Sequence, residues 1–296
     1  MKQPLFTGVC TALITPFEGE GLNLDAFDRL LDRQLAAKVG AVVISGTTGE
    51  CATLTDEEKL TLLQHAIRHV QGRCKIIMGT GSNCTKSAAH LSRMAEAYGA
   101  DGILVVTPYY NKTTQDGLIS HYLAIADSVA LPLIVYNVPS RTGMSITTES
   151  YRRLAAHPNI NGVKEASGNT GEIARLLHEC GDSLFVWSGS DEQTVPLMAI
   201  GAKGVISTVS NLIPEAMVRM TNACLAGDFT LAGQLQTDCI PLIDAVFCEV
   251  NPIPVKTALS LMGYAVGACR MPLGSMQENT LARLTQAMKD AGLSVS

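Results

Sequence analysis

Eight short apolar runs, each followed by a stretch of helical periodicity, constrain what this chain can fold into more than any other feature. The runs cover residues 8–14, 41–45, 75–79, 102–107, 133–137, 160–164, 184–188 and 204–207, bounded by glycine, proline or polar clusters, as expected for strands buried on both faces. Residues 25–38, 56–70, 85–98, 115–129, 147–157, 169–178, 193–200 and 214–226 repeat apolar side chains at three- and four-residue spacing, the period of an amphipathic helix. Thr55-Asp56-Glu57-Glu58 reads as a capping box opening the second of these helices, with Thr55 as N-cap. Eight strand-helix units in 296 residues predict an α/β fold, a closed (β/α)8 TIM barrel, over residues 1–226.

A doubly wound dinucleotide-binding sheet is the alternative, and it needs Gly-x-Gly-x-x-Gly after its first strand. The chain reads Thr15-Pro16-Phe17-Glu18-Gly19 there, which cannot serve. Gly79-Thr80-Gly81-Ser82 lacks the last glycine and a phosphate-loop lysine, so it reads as a tight barrel turn. Residues 227–296 carry further helical periodicity over 231–248 and 254–261, with Leu281, Leu284, Met288 and Ala291 in register. This region is expected to be a helical extension packed on the barrel, its helices broken at Asn251-Pro252-Ile253-Pro254.

Composition narrows the function classes. Hydrophobic residues make up 47% of the chain, charged ones 17%, and the net charge is -5, so a large core is available and a basic surface for nucleic acid is not. Small molecules and protein partners are the expected ligands. Nine cysteines without a Cys-x-x-Cys pair read as reduced packing residues. No basic start followed by a long apolar run marks a secretory signal, and no apolar stretch is long enough to span a bilayer; a cytoplasmic protein without membrane contact is expected. Of the six histidines only His65 and His69 share a four-residue spacing, and no glutamate separates them as a zinc-protease helix would need, so no metal site is expected.

In a barrel of this kind, catalytic groups gather where strands end. The sixth run ends in Val163-Lys164-Glu165-Ala166. A desolvated lysine at a strand tip can lose its proton and act as an amine nucleophile, whereas an ordinary lysine is a solvated surface charge. The second run ends in Ser45-Gly46-Thr47-Thr48-Gly49-Glu50, where hydroxyls and backbone N–H groups between glycines make a carboxylate cradle. The fourth ends in Thr107-Pro108-Tyr109-Tyr110-Asn111 and the fifth in Tyr136-Asn137-Val138-Pro139-Ser140-Arg141-Thr142. Phenols can pass protons and an arginine fork can hold a carboxylate; singly, each also fits ordinary rim packing.

Together these segments resemble the dihydrodipicolinate synthase and N-acetylneuraminate lyase family, class I pyruvate-dependent aldolases built on a (β/α)8 barrel with a C-terminal helical region. The likeness runs from about Thr7 to the end and is carried by Gly46-Thr47-Thr48-Gly49-Glu50, the segment Tyr136 to Thr142, and Val163-Lys164-Glu165-Ala166. The resemblance implies that Lys164 forms a Schiff base with pyruvate, with no other cofactor, and that Tyr136 shuttles protons at the imine. It implies that Thr47 and Thr48 hold the pyruvate carboxylate, that Thr48 also links Tyr136 to Tyr110 in a proton relay, and that backbone groups at Gly189 and Ile206 line the pocket. Tyr110 would enter from a neighbouring subunit, within a homo-oligomer expected to be a tetramer built as a dimer of dimers. Arg141, with Tyr109 and Tyr110, is characteristic of members that condense pyruvate with L-aspartate 4-semialdehyde in lysine biosynthesis; sialic-acid lyases lack that arginine.

Two other readings stay open on the sequence. One keeps the imine chemistry with a different aldehyde or keto acid, and Arg141 discriminates against it. The other is a non-catalytic barrel that binds a small acid, for which an imine-forming amine has no use. In lysine-inhibited family members an effector sits near positions matching Cys51, Ala52, Asp56, Lys59, Asn83, Ser87 and Tyr109. Here Lys59 stands where some sensitive members have histidine, and Ser87 where a glutamate would meet the effector's ammonium. Weak or absent lysine feedback is expected.

Overall fold

Alternation along each buried strand divides its side chains between two apolar compartments, and this division organises the molecule. In this computed structural model, which describes residues 2–295, the barrel strands are β1 Gly8–Ala12, β2 Ala41–Ile44, β3 Lys75–Gly79, β4 Gly102–Val106, β5 Leu133–Asn137, β6 Ile160–Glu165, β7 Phe185–Ser188 and β8 Gly204–Ser207. All pair in parallel, and β1 pairs with both β2 and β8, closing the barrel. Inward-facing Cys10, Val43, Ile77, Leu104, Ile134 and Ile206 fill the interior, below which Phe6 stacks on Trp187 at 4.8 Å. Outward-facing Val42, Ile44, Ile103, Val105, Val163 and Val186 form a second, larger core with the helices.

The eight helices of the outer ring are α1 Leu24–Ala36, α2 Asp56–Val70, α3 Thr85–Ala97, α4 Gln115–Ala126, α5 Thr148–Ala155, α6 Thr170–Cys180, α7 Thr194–Ala199 and α8 Pro214–Leu225. Helix α2 opens on the expected capping box: Glu58 N donates to Thr55 Oγ1 at 3.2 Å and Thr55 N donates to Glu58 Oε2 at 2.9 Å. Gly79, the last residue of β3, packs against the chain leaving β2, since a Cβ there would lie 2.2 Å from the Ser45 carbonyl oxygen. The first run stops being strand at Ala12, and Phe17–Glu18 pairs with Gly21–Leu22 in a small antiparallel hairpin that periodicity did not predict. Two-residue strands are too short to show a period.

The C-terminal region forms α9 Phe229–Val246, α10 Ile253–Leu261 and α11 Glu278–Asp290. The break falls where the prolines require it, with Pro252 capping α10 and Pro254 in its first turn. Leu242, Val246, Val255, Leu259, Leu284 and Met288 join the outer core. No helix among the described residues is long and apolar enough to cross a membrane.

Candidate active site

The catalytic face is built on one register. Tyr136 pairs with Lys164 and Asn137 with Glu165 across β5 and β6, and because side chains alternate, the first pair points into the barrel and the second away from it. A register shift near Leu133 and Ile134 places an irregularity below this pair, so the tip needs its own anchor. The outward Asn137 Nδ2 donates to Glu165 Oε2 and Oε1 at 3.0 and 3.1 Å, the Tyr151 hydroxyl donates to Oε2 at 3.0 Å, and Ser167 N donates to Oε1 at 2.8 Å. A one-residue slip would turn Lys164 out toward the helices.

Lys164 is only 5% exposed, and its Nζ stands 4.3 Å from the centroid of the Tyr136 ring, a cation–π distance. Among the described residues it forms no ion pair. Beneath it Cys10 is buried, and burial pushes that thiol well above its ordinary value, so it remains neutral. Lys164, Tyr136, Thr48, Arg141 and Gly189 line one cavity of about 280 Å³ at the C-terminal mouth of the barrel. The space suits a three-carbon keto acid with a second small substrate. Arg141, in the helical turn Pro139–Thr142, stands at the exposed rim, its Nη2 donating to the Asn251 carbonyl oxygen at 3.1 Å.

The two threonines divide differently from the expectation. Thr48 Oγ1 accepts from Asn251 Nδ2 at 3.0 Å and lies 3.2 Å from Thr208 Oγ1; the expected link from Thr48 to Tyr136 is absent. Thr47 lies instead on a pocket of about 30 Å³ shared with Tyr136. The loop from Ser45 to Glu50 turns Thr48 toward β8, with left-handed backbone at Ser45 (φ 55°) and Glu50 (φ 57°). Ile206 is 1% exposed and belongs to the barrel interior rather than to the cavity lining. Tyr110 is 92% exposed at a left-handed position (φ 67°) and is absent from the cavity of its own chain.

Of the expected effector positions, Cys51, Ala52, Asp56, Lys59, Ser87 and Tyr109 line a second cavity of about 440 Å³, which Arg141 and Thr47 also touch. Asn83 is outside that lining; its carbonyl accepts from Asn111 Nδ2 at 3.0 Å. The Lys59 ammonium is paired with Asp56 at 3.0 Å.

Sequence reading missed the residues that the C-terminal region and β8 bring to the site. Asn251 and Thr208 line the catalytic cavity. Asp191 Oδ2 accepts from Thr208 N and Val209 N at 3.0 and 3.1 Å, while burial pushes its carboxyl above the ordinary range. Glu50, closing the threonine loop, is sealed in an ion pair with Lys256 at 2.7 Å and accepts from Arg270 N at 2.9 Å. The only sequence signal at Asn251 was its place before two prolines, which reads as a helix break.

A (β/α)8 barrel offering a buried amine, a phenol and a rim guanidinium to a small cavity defines an aldolase-like class of barrel. The chain belongs to the dihydrodipicolinate synthetase family, whose sequence model matches residues 5–291. It is 48% identical over 286 residues to the 4-hydroxy-tetrahydrodipicolinate synthase of Exiguobacterium sibiricum, spanning 96% of this chain and 98% of that one. The crystal structure of the dihydrodipicolinate synthase of Acinetobacter baumannii complexed with pyruvate is similar at a TM-score of 0.95 and 40% identity, covering 97% of this chain and 99% of that chain. That of Cyanidioschyzon merolae with lysine bound is similar at 0.95 and 37% identity, covering 98% and 100%.

Proposed function

We infer that this chain carries out its family's reaction, condensing pyruvate with L-aspartate 4-semialdehyde to 4-hydroxy-tetrahydrodipicolinate. It is a lyase of lysine biosynthesis in the diaminopimelate route that works through a lysine imine and needs no external cofactor. The observation that carries the assignment to residues is the buried Lys164 amine facing the Tyr136 ring in a cavity whose rim holds Arg141.

Lys164 Nζ adds to the keto carbon of pyruvate, and loss of water gives the imine. The imine draws electrons from the methyl carbon, which loses a proton and becomes an enamine. That carbon bonds to the aldehyde carbon of the second substrate, and the aldehyde oxygen takes up a proton. Attack of the second substrate's amine on the imine carbon closes the ring and expels Lys164. Tyr136 moves protons at the imine. Thr48 holds the pyruvate carboxylate, and Thr47, which shares a pocket with Tyr136, takes the relay position first expected of Thr48. Arg141 holds the carboxylate of the semialdehyde. Gly189 lines the floor, and Ile206 supports it from the barrel interior.

Tyr110 projects from its own barrel and completes the relay of a neighbour, so the working unit is at least a dimer and, on this reading, a tetramer of two dimers in the cytoplasm. Residues 1–226 act as the catalytic barrel and 227–296 as the helical region closing one side of it. Lysine feedback is weak, because Lys59 adds a cation to the second cavity and Ser87 supplies no anion for an ammonium. Half-inhibition by submillimolar lysine would contradict that point. The substrate assignment is tested by turnover: pyruvate with L-aspartate 4-semialdehyde should be consumed far faster than keto-sugar acids are cleaved, and the reverse preference would overturn it.

A further inference from the structure

We propose that Asn251, contributed by the C-terminal helical region, is a positioning residue for pyruvate that acts through the Thr48 hydroxyl. The inference rests on the functional reading above. Asn251 lies between α9 and α10, where Pro252 ends any continuation of the helix, and it is 8% exposed on the wall of the catalytic cavity. One residue touches two parts of the site by different groups. Its side-chain Nδ2 donates to Thr48 Oγ1 at 3.0 Å, and its backbone carbonyl accepts from Arg141 Nη2 at 3.1 Å.

A threonine hydroxyl has one proton to give and two lone pairs to accept with. The Asn251 N–H occupies one lone pair, and the Thr208 hydroxyl, 3.2 Å away, can occupy the other. Thr208 is itself held, its backbone N–H donating to the buried Asp191 carboxylate. With both lone pairs engaged, the Thr48 proton is left to point into the cavity as a donor, which is what a carboxylate ligand needs. The Asn251 Oδ1 is buried without a hydrogen-bond partner, a state that disfavours an amide relative to an apolar side chain of similar size. Its contribution to the site is therefore the N–H rather than packing.

The two contacts predict a split. Removing the side chain disturbs the pyruvate end of the site, while the Arg141 contact runs to backbone and survives. Asn251→Ala should raise the KM for pyruvate about tenfold, the size of one hydrogen bond that orders a donor to a charged group, and leave the KM for the semialdehyde within about twofold. Asn251→Asp keeps the shape but accepts the Thr48 proton itself, so it should raise the pyruvate KM further. In a Thr48→Val background the Asn251→Ala change should add nothing. Equal pyruvate KM values in wild type and both Asn251 variants would overturn the proposal, as would full additivity with Thr48→Val. Borohydride trapping of wild type with pyruvate is the control: no adduct there refutes the functional reading, whereas normal trapping with an indifferent Asn251 refutes only this inference.

Discussion

At the residue scale the site depends on alternation. Tyr136 and Lys164 face each other because they are register partners, and their neighbours Asn137 and Glu165 hold that register from the opposite face of the sheet. Lys164→Ala should abolish imine formation and turnover together. Tyr136→Phe keeps the ring beside the amine and removes only the hydroxyl proposed to carry protons, so kcat should fall ~10²–10⁴-fold while borohydride still traps pyruvate; unchanged kcat would exclude Tyr136 as the proton carrier. Arg141→Ala should raise the KM for the semialdehyde ~10–100-fold with pyruvate trapping preserved, as steady-state kinetics would show. The gathering of Lys164, Tyr136 and Arg141 at one cavity was legible because each lies within a few residues of a strand end, whereas the roles proposed for them come from the family resemblance. The different surroundings of Thr47 and Thr48 were not legible, because adjacent residues in a loop have no fixed period and this loop carries left-handed backbone at Ser45 and Glu50.

At the element scale, strands and helices followed from periodicity, and the capping box fixed the start of α2. What joins elements was hidden. Glu50 and Lys256 form a fully buried pair although 206 residues separate them, and no local pattern announces such a partner. Burial pushes the Lys256 ammonium below its ordinary value, with Glu50 opposing that shift. Glu50→Gln would leave the ammonium buried and unpaired, and urea unfolding should show a loss of ~3–5 kcal/mol. Another buried group sets acid sensitivity. His121 on α4 meets the Thr85 hydroxyl at 2.9 Å through Nδ1, and burial lowers its pKa to about 4. An unfolded histidine titrates near 6.5, so between those values the unfolded chain binds the extra proton and stability falls as pH falls. The loss should reach ~3 kcal/mol by about pH 4. Urea titrations across that range should show this slope in wild type and its absence in His121→Asn.

At the scale of the whole molecule, the eightfold alternation sufficed to predict a closed barrel, and the C-terminal helices were visible as helices. Their role at the site was not visible, since Asn251 reaches Thr48 and Lys256 reaches Glu50 only after the chain has gone once around the barrel. On the proposed reading, assembly supplies the remaining piece. Tyr110 is exposed on a left-handed backbone turn, so Tyr110→Phe should leave the melting temperature unchanged and still reduce kcat. Mixing Tyr110→Phe with Lys164→Ala protein under exchange conditions should recover activity, because some sites then pair an intact Lys164 with an intact Tyr110. No recovery, with subunit exchange verified, would place the relay within one chain. The central claim, that the buried amine at the tip of β6 is the covalent centre, is tested most directly by borohydride reduction with pyruvate followed by peptide mass mapping. The account predicts a single reduced pyruvyl adduct on Lys164 that is lost in Lys164→Ala; an adduct on another lysine, or none in the wild type, would contradict it.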